Sequence, residues 1–344
     1  MTHARRAVLT ALSAAVALAM TGCAGGGASD VAGATTSAVA SSGKVLNLYS
    51  YAVPKVGFDK IIPAFNATPQ GAGVEFQQSY GASGDQSRKV ADGAEADVVN
   101  FSVTPDITRL VDAGLVDSTW ADGEHKGIPF GSVVTIVVRK GNPKGIKDWD
   151  DLLKSGIEVV TPNPFSSGSA KWNLLAPYAA FSDGGKNPQA GLDFISKLVS
   201  EHVKVQPKSG REATETFLQG TGDVLLSYEN EALFAESQGD PVEHVTPPTT
   251  FKIENPVAVL KGSKNLETAQ AFNDYLYTTE AQKLWAEAGF RPVDTAVAKQ
   301  YASKFPAPKK LWTIDDLGGW PKVDTELFAK DTGTIAVIYD KATS

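Results

Sequence analysis

The sequence predicts an α/β protein in two lobes, and three observations carry that prediction. From residue 44 onward, short apolar runs alternate with stretches whose apolar residues recur at helical spacing. Strands and helices in alternation argue for mostly parallel sheets. Two turn clusters, Pro-Phe-Gly-Ser at 129–132 and Pro-Pro-Thr-Thr at 247–250, each feed an apolar run. The 344 residues suit two lobes or one large domain. Taken as crossings, the turn clusters make residues 132–248 an inserted second lobe. Residues 44–131 plus 249–344 are then the first lobe.

The elements follow in order. Val45, Leu46, Leu48 and Tyr49 mark a buried strand. Phe58, Ile61, Ile62 and Phe65 fall at i, i+3, i+4 and i+7, one face of a helix. Residues 74–76 and 97–99 read as further strands with a helix between them. β-Branched runs at 133–138 and 157–160 come next, and Leu192, Ile195, Leu198 and Val199 share a helix face. Residues 224–226 and 256–260 read as strands. Phe272, Tyr275, Leu276 and Thr279 read as one late helix. There is no internal repeat.

The N-terminal residues bear on location. His3, Arg5 and Arg6 precede an almost wholly apolar stretch at 7–20. That stretch is too short to span a bilayer comfortably and suits the hydrophobic part of a signal peptide. It closes on Met20-Thr21-Gly22-Cys23, which resembles the lipobox of bacterial lipoproteins. In such proteins the thiol takes a diacylglyceryl group and the leader is cut just before it. Residues 1–22 are therefore expected to be a signal peptide and Cys23 to be lipidated. Residues 23–43, mostly Ala, Gly, Ser, Thr and Val, form a flexible tether. The expected place is the extracytoplasmic face of the cell membrane, reached by either the general or the twin-arginine export route. Cys23 is the only cysteine, so no disulfide closes within one molecule.

Composition excludes other classes. The formal net charge is −7, and the leader holds two of the 32 basic residues and none of the 39 acidic ones, so the chain without it carries −9. A basic patch for nucleic acid is not expected. No later apolar stretch is long enough for a membrane span. Beyond the leader only His125, His202 and His244 remain, none at metal-ligand spacing. Neither a Gly-x-Ser-x-Gly elbow nor a phosphate loop occurs. The pattern calls for no metal, no cofactor and no catalytic residue.

Polar helix starts are the informative feature. Gly81-Ala82-Ser83-Gly84-Asp85-Gln86, Ser166-Ser167-Gly168-Ser169 and Ser209-Gly210-Arg211-Glu212 each precede a helix-like stretch. Small residues there leave backbone N–H groups uncovered. The first turn of a helix has N–H groups without partners and a partial positive charge, and such ends bind oxyanions. The plain alternative is capping alone, since Ser83…Gln86 and Ser209…Glu212 both fit a capping box. Glu212 would repel a bound anion unless paired, with Arg211 the nearest candidate.

Several longer motifs carry a resemblance. They are Tyr80-Gly81-Ala82-Ser83-Gly84-Asp85-Gln86, Val138-Arg139-Lys140-Gly141-Asn142-Pro143 with Trp149, and Thr161-Pro162-Asn163-Pro164-Phe165-Ser166-Ser167-Gly168. Gly222-Asp223-Val224-Leu225 with Glu229-Asn230-Glu231, and Gly318-Gly319-Trp320, complete the set. Over residues 44–340 the chain resembles the periplasmic sulfate- and thiosulfate-binding proteins of ABC importers. The resemblance implies a two-lobed periplasmic-binding-protein fold of the second type, with a ligand cleft between lobes joined by a two-segment hinge. It implies a dehydrated sulfate ion held by neutral donors. These would be backbone N–H groups at Val53, Ser83, Gly168, Ser169 and Gly210, and hydroxyls at Ser167 and Tyr228. It also implies an ABC permease with its ATPase as partners, membrane contact only through the lipid, and a monomer.

The chain departs from the family in three places. Tyr228 stands where the family has its binding tryptophan, and Ser169 where it has a second glycine. The loop Ser50-Tyr51-Ala52-Val53-Pro54 is one residue longer and lacks the acidic residue before the proline. Alternatives are thiosulfate or another tetrahedral oxyanion such as molybdate, an α/β enzyme on a sulfated or phosphorylated substrate, and a surface adhesion lipoprotein. The enzyme would need an acid or base in the cleft, and no matched position titrates below the tyrosine range.

Overall fold

The computed structural model describes residues 43–343. The expected signal peptide, Cys23 and the tether up to residue 42 lie outside the described residues. The described strands are β1 (Val45–Tyr51), β2 (Glu75–Gly81), β3 (Val98–Asn100), β4 (Phe130–Arg139), β5 (Val159–Val160) and β6 (Val203–Val205). They continue with β7 (Val224–Tyr228), β8 (Val242–Val245), β9 (Thr249–Asn255), β10 (Val257–Val259), β11 (Arg291–Pro292) and β12 (Lys310–Trp312). Helices fill most of the connections, which makes the fold α/β as expected.

One sheet has the order β10-β3-β1-β2. In it β1 runs parallel to both β2 and β3, while β10 is antiparallel. Strand alternation sends neighbouring side chains to opposite faces. Val98 therefore joins Leu46, Leu48, Phe58 and Phe65 in the main core, and Val99 packs with Val90, Ile107 and Leu110 on the other face.

The second sheet has the order β12-β9-β4-β7-β5-β6, with β8 and β11 also paired to β4. Here the expectation of mostly parallel sheets is corrected. The ten-residue β4 is antiparallel to four strands: its first half meets β9 and β11, its second half β7 and β8. A strand that long has room for different partners at its two ends. Val134, Ile136 and Val138 face the main core, and Val137 faces a second one with Val160, Phe217 and Leu225.

The strands fed by the two expected crossings lie side by side in this sheet. Phe130 pairs with Asn255 and Val133 with Lys252. What reads as turn clusters is the start of two strands, with Pro129 and Pro248 just ahead of them, where a missing N–H costs no ladder bond. Thr279 belongs to a separate helix from Phe272. The first helix ends at Tyr275, and Thr278 caps the next by accepting from the Ala281 N–H. The helix Thr334–Thr343 packs on the helix Pro188–Lys197 and the π-helical turn Leu198–His202. The end of the described chain thus rests on the segment expected to form the second lobe. No helix of the described residues is long and apolar enough to cross a membrane.

Candidate anion-binding site

Each of the three helix starts is a helix terminus, and each uses its side chains differently. The helix Ser83–Ala91 follows β2 with Ala82 at the cap, so the Ser83…Gln86 capping box does not form. Instead, Ser83 Oγ donates to Asp106 Oδ2 (2.6 Å) and accepts from the Ser102 N–H (2.9 Å). That hydroxyl is committed, and only the Ser83 N–H, first in its helix and without a ladder partner, is left to offer. The next N–H, that of Gly84, donates to the Ser166 carbonyl at 3.1 Å.

The helix Gly168–Phe181 has Ser167 at its cap, and the Ser167 hydroxyl makes no capping bond. The helix Gly210–Leu218 is capped conventionally, Ser209 Oγ accepting from the Glu212 N–H at 3.2 Å. Glu212 is exposed and accepts from the Lys208 N–H at 3.2 Å. Arg211 does not pair with it. Its guanidinium goes to Glu231 at 2.8 Å. Glu231 is only 1% exposed, and a carboxylate without solvent needs a counter-charge far more than one in water.

These starts meet. A Cβ placed on Gly168 would lie 2.7 Å from the Ser102 Cβ, and one on Gly210 would lie 2.9 Å from Ser169 Oγ and 3.3 Å from Val53 Cγ2. Both glycines are needed for that approach. Ser102 Oγ and Tyr228 OH are 2.6 Å apart. Val53, Ser83, Ser167, Gly168, Ser169, Gly210 and Tyr228 are all buried. Val53 follows β1, Ser83 follows β2, Ser167, Gly168 and Ser169 follow β5, Gly210 follows β6, and Tyr228 ends β7. Between them they set helix N-terminal N–H groups and hydroxyls around one place.

The charges nearby are already matched. Asp106 gives Oδ2 to Ser83 and Oδ1 to Arg109 at 2.9 Å. Glu231 gives one oxygen to Arg211 and the other to Thr214 Oγ1 at 3.0 Å. Each oxygen of both carboxylates thus already has a donor within the protein. Burial holds the Tyr228 phenol well above its ordinary pKa, so it stays a protonated donor at neutral pH. Fully ionised oxyanions suit such a donor-only setting. Among the described residues no group of His, Cys, Asp or Glu is placed to hold a metal ion.

Sequence reasoning missed Ser102, Tyr51 and the Arg211–Glu231 pair. Ser102 had a signal: Ser102-Val103-Thr104-Pro105 follows a strand and places Pro early in the helix Thr104–Asp112, a fourth helix start. Tyr51 ends β1 beside Tyr228, ring centroids 6.4 Å apart, and its buried hydroxyl has no hydrogen-bond partner among the described residues. It lies in the loop motif but gives no sign of facing inward.

Two α/β sheets joined through adjacent crossing strands, with polar helix starts gathered where they meet, define the class of extracytoplasmic solute receptors. The chain belongs to the bacterial extracellular solute-binding protein family, whose family pattern matches residues 46–291. It is 66% identical to the sulfate-binding protein SubI from Mycobacterium tuberculosis, whose solved structure superposes with a TM-score of 0.82 over 83% of this chain and 99% of that one. It is 40% identical to a sulfate-binding protein of Synechococcus elongatus, covering 82% of this chain and 83% of that protein. A thiosulfate-binding protein of Pseudomonas aeruginosa is 36% identical, covering 84% and 90%. The family consists of solute receptors rather than enzymes.

Proposed function

We propose that this chain is an extracytoplasmic receptor that binds sulfate and delivers it to the permease and ATPase of an ABC importer. The observation that carries the reading is the meeting of three helix N-termini with the Ser167 and Tyr228 hydroxyls, where both nearby carboxylates are already engaged. The names of the sulfate-binding relatives support the same ligand. The ligand set is Val53, Ser83, Gly168, Ser169 and Gly210 through backbone N–H groups, and Ser167 and Tyr228 through hydroxyls. Residues 132–248 act as the lobe that closes on the rest, with residues 130–132 and 248–252, at the starts of β4 and β9, serving as the hinge. The protein works as a monomer anchored by lipid at Cys23.

Selectivity tests the site. Sulfate carries only acceptor oxygens at neutral pH, whereas phosphate carries at least one proton that needs an acceptor. Burying that O–H unsatisfied costs roughly 1–3 kcal/mol, and pressing it against a donor costs more. A preference for sulfate over phosphate of roughly tenfold to several-hundredfold is expected. Calorimetry of the soluble protein against sulfate, thiosulfate, molybdate and phosphate reads it directly. Equal affinity for phosphate would rule out a donor-only site, and a clear preference for thiosulfate would move the ligand within the class.

The anchor has its own test. With Cys23→Ala the protein is expected to remain uncut or to appear in the medium, because the tether residues offer no apolar surface for membrane binding. Fractionation of a fully processed variant with membranes would disprove the lipid anchor.

A further inference from the structure

We infer that Ser102 and Tyr228 work as one two-hydroxyl donor, Ser102 giving its proton to the phenol oxygen and thereby leaving the phenol proton to the anion. The inference rests on the sulfate reading of the site and adds a positioning residue to it. Ser102 follows β3 in the first sheet's chain segment and Tyr228 ends β7 in the second, so the 2.6 Å bond between them links the two sheets' segments. Both hydroxyls are buried.

Ser102 is built to hold still. Its carbonyl accepts from Trp172 Nε1 at 2.8 Å and from Asn255 Nδ2 at 3.2 Å. Its N–H donates to Ser83 Oγ at 2.9 Å. Three bonds to its backbone fix where its hydroxyl sits, and Gly168 makes the room.

The direction of the hydroxyl bond follows from the proton count. Either oxygen of the 2.6 Å pair can donate, and each hydroxyl has a single proton. A phenol that gives its proton to the anion can only accept from Ser102. An oxygen already filled as acceptor directs its one proton elsewhere, and sulfate offers only acceptors. An indole N–H, the family's group at this position, has no oxygen to receive such a bond. The exchange to tyrosine therefore gives the Ser102 hydroxyl a task it would not otherwise have.

The test is a set of variants measured by calorimetry with sulfate and with phosphate. Ser102→Ala is expected to weaken sulfate about five- to tenfold, and Ser102→Thr, which keeps the hydroxyl, by no more than about twofold. Ser102→Ala added to Tyr228→Phe is expected to cost no more than about twofold beyond Tyr228→Phe alone. In Ser102→Ala the phenol oxygen is freed to accept, so phosphate is weakened less than sulfate. Equal losses for both anions, or multiplicative losses in the double variant, would overturn the inference and leave Ser102 a packing residue. The ligand-free protein keeps the two readings apart. With carbon-13 at the tyrosine Cζ, the Tyr228 resonance is expected to move in Ser102→Ala and to stay in Ser102→Thr. If it does so while the wild type binds no sulfate, the hydroxyl pair stands and the sulfate reading falls. If it does not move, the pair itself is refuted.

Discussion

Gly168→Ala is expected to weaken sulfate binding by roughly 10²- to 10³-fold while the protein keeps its fold. The added methyl group would lie 2.7 Å from Ser102 Cβ, 2.8 Å from Ser102 Oγ and 3.1 Å from Val103 Cγ1. Separations under 3 Å force something to move. Ser102 is pinned by its bonds to Ser83, Trp172 and Asn255, so it has little room to yield. Overpacking of this kind costs about 1–3 kcal/mol. Pushing the Gly168 N–H out of reach removes a donor to a charged oxygen, worth about 1.5–3 kcal/mol. Neighbouring effects of this kind do not add in full, and a combined loss of about 3–4 kcal/mol sets the range above. The helix itself has no objection, because Gly168 is its first residue and alanine is the better helix former. Gly168 lies in the segment proposed to close and Ser102 outside it, so the clash is felt on closure, and loss of affinity with an unchanged thermal midpoint of the ligand-free protein is the expected pair of results. Gly210→Ala makes a useful contrast. Its nearest neighbour would be Ser169 Oγ at 2.9 Å, an atom at the end of a rotatable side chain, so a smaller loss is expected there. Normal sulfate affinity in Gly168→Ala would remove this helix start from the site.

Much of this site was readable because its chemistry is local. A helix start announces itself by small polar residues ahead of a periodic stretch, and Ser83, Ser167 and Gly210 sit within one residue of three such starts. What the sequence withholds is the partner of each hydroxyl. Ser83 looks like one half of a capping box with Gln86, but its hydroxyl crosses to Asp106, 23 residues on. Arg211 looks like the neighbour of Glu212, yet it reaches Glu231, because burial rather than proximity decides which carboxylate needs it. Sheet direction was hidden for a related reason. The apolar run at 133–138 gives a strand but not its neighbours, and the four antiparallel pairings of β4 arise from segments up to 162 residues away. Proline and glycine at 129–131 and 247–248 mark real changes of direction. They stand just before or inside strands because pairing between β4 and β9 absorbs the turn signal.

Arg211→Ala is expected to destabilise the fold by about 3–5 kcal/mol, the cost of removing one partner from a buried ion pair. Glu231 is 1% exposed and sits in the first turn of the helix Glu229–Ser237, with Arg211 as its only cationic partner in the described structure. Without the guanidinium it keeps one bond, from Thr214. For a unit of this size the loss corresponds to a fall in Tm on the order of 10 °C. Glu231→Gln is expected to cost much less, since Arg211 remains 22% exposed and reaches water. The pH dependence carries the sign. Burial raises the Glu231 pKa above the ordinary carboxylate value, and Arg211 is the main group pulling it back. Removing Arg211 therefore drives it higher. A carboxyl whose folded pKa lies above its unfolded one binds its proton more tightly in the folded state, so stability falls as pH rises between the two values. The deficit of Arg211→Ala against wild type is expected to shrink as pH drops from 8 toward 5, because the lone carboxyl is then buried neutral. Alanine at Lys264, whose pairing with Glu95 is almost fully exposed, serves as the control and is expected to show no such dependence. Chemical denaturation of the three variants at pH 5 and pH 8 checks the prediction, and a deficit that stays constant or grows on acidification would show that Glu231 does not depend on Arg211 for its charge.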